Sequence, residues 1–198
     1  LRRSLLYIPG NNPAMLQSCP SLGADCVILD LEDAVAPVHK DEARRLVAYA
    51  LRCLPFEGVE KVVRINDVST PWWELDLEEI VPAGPDVIRL PKAESVENIR
   101  MVDNRITELE KANGLSEGGI ELHILLESAQ AVENVANLVR SCKRVKGVGL
   151  GGQDLTADMG IRKTSSGEEL AYANGHMILA AKAAKIDCFD SVYTDIND

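Results

Sequence analysis

Short apolar runs recur along this chain, and almost every one ends in a charge. Val27-Ile28-Leu29-Asp30-Leu31 is followed by Glu32-Asp33, and Val62-Val63 by Arg64. Val87-Ile88-Arg89-Leu90-Pro91 is followed by Lys92, and Leu122-His123-Ile124-Leu125-Leu126 by Glu127. The glycine run Gly147-Val148-Gly149-Leu150-Gly151-Gly152 leads to Asp154. Runs of this length without strict alternation predict parallel strands covered on both faces. The pattern predicts strands at Ser4–Ile8, Cys26–Leu31, Lys61–Ile65, Val87–Pro91, Glu121–Leu126, Lys146–Gly151 and Cys188–Val192.

Helical spacing separates the runs. Val96, Ile99, Val102, Ile106 and Leu109 form one stripe behind a candidate N-cap at Ser95. Val132, Val135, Leu138, Val139 and Cys142 form another. Asp41–Leu54 reads as a helix, and Ser166 with Glu169 predicts a capping box ahead of an Ala-rich helix reaching about Lys185. Residues 67–84, which hold Trp72-Trp73, carry no clean period.

Strands alternating with helices imply a parallel α/β sheet. A charge set repeatedly just past a buried strand is costly unless the strand ends open into one shared site. The mouth of a (β/α)8 barrel has that geometry, with chemistry at the C-terminal strand ends. The expected fold is therefore a TIM (β/α)8 barrel, a single domain over residues 1–198. Seven strands are one short of closure, so the final βα unit is expected to be missing and the barrel to be C-terminally incomplete.

Charge and composition narrow the partners. A formal net charge of −10 argues against nucleic acid and against anionic membrane surfaces, both of which select basic faces. No apolar run approaches the about 20 residues that span a bilayer. The five cysteines are odd in number and form no C-x-x-C, which predicts reduced, buried thiols and a cytoplasmic protein.

Four charged positions carry candidate chemistry. Glu127 and Asp154 follow consecutive predicted strands. Two neighbouring carboxylates suit Mg²⁺, which takes one or two of them and fills its octahedron with water and substrate oxygens. The alternative is helix capping, since both precede helical stretches. The site reading is preferred for Glu127, and both stand for Asp154. Arg64 has the planar fork that grips a carboxylate with two hydrogen bonds. An ion pair with Glu32 or Asp33 from the neighbouring strand is the alternative, and it is compatible with the first role. Glu32 and Asp33 are adjacent, so their side chains are expected on different faces. Lys92 can form a Schiff base with a ketone, although an ion pair with Glu94 or Glu127 is preferred. Gly147-x-Gly149-x-x-Gly152 has the letters of a dinucleotide fingerprint in the wrong context, inside a strand. Its glycines are expected to let backbone approach a ligand. His39, His123 and His176 show no metal-ligand spacing and are expected to be structural.

Across these stretches the chain resembles the citrate lyase β-subunit family, within the HpcH/HpaI aldolase and malyl-CoA lyase superfamily. The resemblance runs in order through Arg3-Ser4-Leu5-Leu6-Tyr7-Ile8-Pro9-Gly10-Asn11-Asn12-Pro13, Leu29-Asp30-Leu31-Glu32-Asp33-Ala34-Val35 and Val63-Arg64-Ile65-Asn66. It continues through Arg89-Leu90-Pro91-Lys92-Ala93-Glu94, Leu126-Glu127-Ser128-Ala129 and the segment from Gly149 to Gly160, and Asp190–Asp195 resembles the seventh strand.

The resemblance implies Mg²⁺ on Glu127 and Asp154, and Arg64 on the substrate carboxylate. It implies that Glu127 and backbone near Gly151 and Gln153 help bind the keto-acid end. The implied reaction is Mg²⁺-dependent cleavage of a citryl thioester on an acyl carrier protein, giving oxaloacetate and an acetyl thioester by a retro-Claisen step. Glu32 and Asp33 are the candidate bases, acting directly or through water. In related lyases an acid on a C-terminal lid, often a neighbouring subunit's, completes the site. A coenzyme A thioester lyase acting on malyl-, citramalyl- or citryl-CoA is the nearest alternative. A non-catalytic assembly subunit is the alternative of another class. The implied partners are the acyl carrier protein or coenzyme A thioester, other citrate lyase subunits, and further copies in a homo-oligomer.

Overall fold

The structure is a computed structural model that describes residues 2–164 and 166–193. The chain alternates strands and helices in the order β1 (Leu5–Pro9), α1 (Pro13–Ser18), β2 (Cys26–Asp30), α2 (Lys40–Cys53), β3 (Glu60–Arg64), α3 (Trp73–Ile80), β4 (Val87–Leu90), α4 (Val96–Ala112), β5 (Glu121–Leu126), α5 (Ala129–Glu133), α6 (Val135–Leu138), β6 (Val145–Leu150), α7 (Gly152–Asp158), α8 (Ala171–Ala184) and β7 (Asp187–Phe189). The strand order is the sequence order, β1 through β7, and the registered pairs are parallel. The α/β class and all seven strand segments agree with the apolar pattern, with most boundaries shifted by a residue. β7 is shorter than expected, and Thr194 and Asp195 of the resemblance lie outside the described residues.

Two compact units divide the chain, Leu1–Leu90 with Val102–Leu122, and Pro91–Met101 with His123–Asp198. In the first, the pairs Tyr7↔Ile28 and Ile28↔Val62 put those side chains on one face. Cys26, Ile28, Val62 and Val87 form a buried cluster there, with Leu5 and Tyr7 against it. Val27, Leu29, Val63 and Ile88, on the opposite face, are also fully buried. Burial on both faces is why the runs lack alternation. Two residues further along the first face, the pairs Asp30↔Arg64 and Arg64↔Arg89 carry three charges at one level.

Buried polar groups tie α2 and α3 to the strand ends. Asp76, with no exposure, accepts from the Asn66 backbone amide at 2.9 Å, the Asn66 side chain at 2.7 Å and Arg44 Nε at 2.9 Å. Burial pushes the Asp76 carboxyl above the ordinary value, and the Asn66 and Arg44 contacts oppose that shift. Asp76→Ala would take this acceptor from the Asn66 backbone and side-chain amides and leave the buried Arg44 guanidinium with Asp41 alone of its two acids. A stability loss of about 3–5 kcal/mol is expected, read from denaturant unfolding.

Three local expectations change. Residues 67–84 resolve into a turn built on Asp67, which accepts from Thr70, followed by α3 and a 3-10 turn, Val81–Ala83, that stops at left-handed Gly84. The 132–142 stripe breaks into α5 and α6 at Asn134, whose side chain donates to the Glu94 carbonyl at 3.4 Å. The Ser166–Glu169 capping box does not form. Glu169 instead accepts from the Thr164 backbone amide at 2.8 Å, and α8 starts at Ala171 without a side-chain cap. All five cysteines are free thiols, as expected, but Cys53 is exposed and only Cys19 and Cys26 are buried. Among the described residues, no helix is long and apolar enough to cross a membrane.

Candidate functional site

In the first unit, Arg64 ends β3 and is gripped from β2. Its Nε donates to Asp30 Oδ1 at 2.7 Å and its Nη2 to Asp30 Oδ2 at 2.6 Å. Nη1 stands 3.0 Å from Glu32 Oε2 and 3.5 Å from Asp33 Oδ2. Burial works against the Arg64 charge, but the hydrogen bonds and charge of Asp30, with Glu32 and Tyr7, outweigh it and hold the pKa above the usual arginine value. The Tyr7 ring lies beneath, its centre 5.2 Å from the Arg64 guanidinium carbon and 5.9 Å from that of Arg89. Arg89 Nη1 donates to the Tyr7 hydroxyl at 3.2 Å.

Two expectations shift here. Glu32 and Asp33 do not diverge, because β2 ends at Asp30 and both lie in the following turn, where the two-residue alternation no longer applies. The Asp30 carboxylate builds that turn by accepting from the Glu32 amide at 2.9 Å and the Ala34 amide at 3.2 Å. Glu32 is buried and Asp33 exposed. The main partner of Arg64 is thus Asp30, a residue the charge-at-the-end pattern does not single out. Arg89 is likewise missed. Both are charges inside apolar runs, which is the signal that could have found them.

In the second unit, Glu127 follows β5 and is 5% exposed. It does not cap α5, because Ser128 does, accepting from the Ala131 amide at 3.2 Å. The Glu127 carboxylate instead accepts from the Lys92 backbone amide at 3.1 Å. Among the described residues, Lys92 is one of two non-glycine residues at positive φ, 48°, a left-handed turn next to Glu127. Gly151 closes the other side, with its amide donating to the Leu126 carbonyl at 2.9 Å. A methyl group on Gly151 would fall 2.4 Å from Glu127 Cγ. Gly151→Ala is therefore expected to turn this carboxylate aside, lowering kcat/KM by about tenfold or more with little change in Tm. Steady-state kinetics and a thermal melt on the same variant check it.

Asp154 lies in the first turn of α7, three residues past Gly151, and is exposed, as is Gln153. Its helix position is also favourable for an acid in its own right. The glycines inside β6 serve packing rather than a ligand: a Cβ at Gly147 would meet His123 and Phe189, and one at Gly149 would meet Leu125. His123 is fully buried beside Phe189, ring centres 4.9 Å apart, in keeping with a structural role.

The donor set suits Mg²⁺. Glu127 and Asp154 offer hard carboxylate oxygens, and Lys92 and Gly151 fix the first of them. Among the described residues, no three His, Cys, Asp or Glu side chains group to hold a metal alone. An ion here would complete its shell with water and substrate oxygens, as Mg²⁺ does.

Residues 3–198 match the family model for HpcH/HpaI aldolase/citrate lyase. The chain is 41% identical over 198 residues to citrate lyase subunit beta of Leuconostoc mesenteroides subsp. cremoris, covering 100% of this chain and 66% of that one. It is 35% identical over 207 residues to mitochondrial citramalyl-CoA lyase of Mus musculus, covering 100% of this chain and 61% of that one. A solved citrate lyase beta subunit from Mycobacterium tuberculosis, complexed with oxaloacetate and magnesium, superposes with a TM-score of 0.78 at 28% identity, covering 100% of this chain and 82% of that one. The chain thus spans about two thirds or less of the curated relatives' length.

Proposed function

The chain belongs to the HpcH/HpaI aldolase/citrate lyase family, and on that premise we propose that it is the barrel part of a Mg²⁺-dependent carbon–carbon lyase that cleaves a citryl thioester. The products are oxaloacetate and an acetyl thioester. The observation that carries the reading is the buried Glu127 carboxylate, held by the Lys92 amide while Ser128 caps α5. We assign Glu127 and Asp154 to Mg²⁺, Arg64 to the substrate carboxylate, and the backbone at Gly151 and Gln153 to the keto-acid end. A Mg²⁺ ion bound there supplies Lewis-acid polarisation of substrate oxygens.

The residues of the chain do the rest. Asp30 takes two of the five N–H groups of Arg64, so the remainder face Glu32, Asp33 and an incoming carboxylate. Fixing that carboxylate aligns the bond to be cleaved. The citryl hydroxyl gives its proton to Glu32 or Asp33, directly or through water. Its oxygen becomes the ketone of oxaloacetate as the C–C bond breaks. The electron pair leaves on the carbon α to the thioester carbonyl, as an enolate, and the proton returned from that acid to this carbon makes the acetyl thioester. Asp33 is the more accessible of the two acids.

The carrier is an acyl carrier protein. The likeness to a citramalyl-CoA lyase favours a second reading, with malyl-, citramalyl- or citryl-CoA as substrate. We further propose that the seven βα steps belong to a single domain of the (β/α)8-barrel type, that the protein is cytoplasmic, and that it works as a homo-oligomer with other citrate lyase subunits. Citryl-CoA with and without Mg²⁺ tests the function. Oxaloacetate released only with the metal is expected, and no release under either condition contradicts it.

A further inference from the structure

Lys40 opens α2, is only 6% exposed, and has no part in the chemistry above. Its ammonium donates to the Leu31 and Glu32 carbonyl oxygens, both at 2.7 Å, and lies 5.5 Å from the centre of the Trp72 ring. Burial pulls its pKa below the ordinary lysine value, against the charges of Asp30, Asp76, Glu32 and Asp33. A buried lysine that spends two donors on consecutive carbonyls holds backbone, because a cation can draw together two oxygens that otherwise repel each other. The same turn is held on its N–H side by Asp30, which accepts from the Glu32 and Ala34 amides. Asp30 grips Arg64 with those same two oxygens. The turn is thus pinned between an anion inside the sheet and a cation on the helix layer.

We propose that Lys40 is a positioning residue: it clamps the Leu31–Glu32–Asp33 turn so that both acids meet Arg64. The proposal rests on the reading of Arg64, Glu32 and Asp33 given above. Lys40 touches no substrate. Its loss leaves the Asp30 grip on Arg64 in place, so substrate carboxylate binding persists while the acids lose their aim. The expected signature is a fall in kcat with little change in KM.

The test uses the whole chain carrying Lys40→Met or Lys40→Arg. Amide exchange at Glu32, Ala34 and Val35 is expected to quicken by about tenfold or more in Lys40→Met, with exchange in α8 unchanged. With citryl-CoA, kcat should fall by about thirtyfold and KM stay within about threefold. Lys40→Arg, which keeps the charge and paired donors, should recover to within about fivefold of the parent. Should Lys40→Met not fold, Lys40→Gln carries the same measurements. Unchanged exchange in the turn overturns the clamp. Faster exchange with unchanged kcat overturns the positioning role. A parent chain without lyase activity defeats the functional reading instead, and the exchange result still decides the clamp.

Discussion

Arg64→Lys is expected to lower kcat/KM by about 30- to 1000-fold, or ~2–4 kcal/mol of transition-state stabilisation. The charge survives this substitution, but the geometry does not. Arg64 meets Asp30 through Nε and Nη2 and meets Glu32 through Nη1. A lysine has one nitrogen at the end of a flexible stem and cannot serve both acids while facing a substrate carboxylate. It also gives up the contact of the guanidinium with the Tyr7 ring. Steady-state kinetics beside a thermal melt separates the two causes of loss. Parental turnover and unchanged oxaloacetate affinity in a folded variant would reduce Arg64 to a structural ion pair.

Glu127→Gln is expected to weaken Mg²⁺ binding and remove lyase activity by about a hundredfold or more. Glutamine keeps the size of the side chain and an oxygen for the Lys92 amide, so the turn at 90–92 should persist. What is lost is the anion. Asp154→Asn should act in the same direction. Calorimetric Mg²⁺ titration of the purified protein reads the binding directly, and activity in excess EDTA reads the dependence. Full activity with the metal chelated would defeat the assignment. A borohydride-trapped substrate adduct on Lys92 would favour the Schiff-base route.

Apolar runs made the strands legible, because a segment buried on both faces must be nearly free of polar side chains. The charges after them located Arg64 and Glu127 for the same reason, since a strand end is the first place where a charge can be solvated or used. Asp30 and Arg89 escaped that rule because they sit inside their runs and are buried, Asp30 against Arg64 and Arg89 against Tyr7. The Glu32–Asp33 turn was misjudged by extending strand alternation past the last strand residue. Lys40 was invisible for a simpler reason: its partners are carbonyl oxygens, which every residue carries, so no side-chain pairing in the sequence marks them. Ser166 and Glu169 show the opposite failure, a matching pair of letters whose acid a nearer donor, Thr164, had already taken.

The register pair Asp30↔Arg64 also bears on how the chain reaches this arrangement. The apolar part of β3 is only Val62-Val63, one side chain for each face, and hydrophobicity alone would accept that pair slipped by one position against the apolar run of β2. Slippage by a single residue turns every side chain to the opposite face. It would turn Arg64 to the opposite face and take its guanidinium away from the Asp30 carboxylate. Each stranded ion costs several kcal/mol in such surroundings, a large share of the stability of an ordinary domain. The pair therefore adds an electrostatic penalty to the slipped register that the apolar residues alone do not supply.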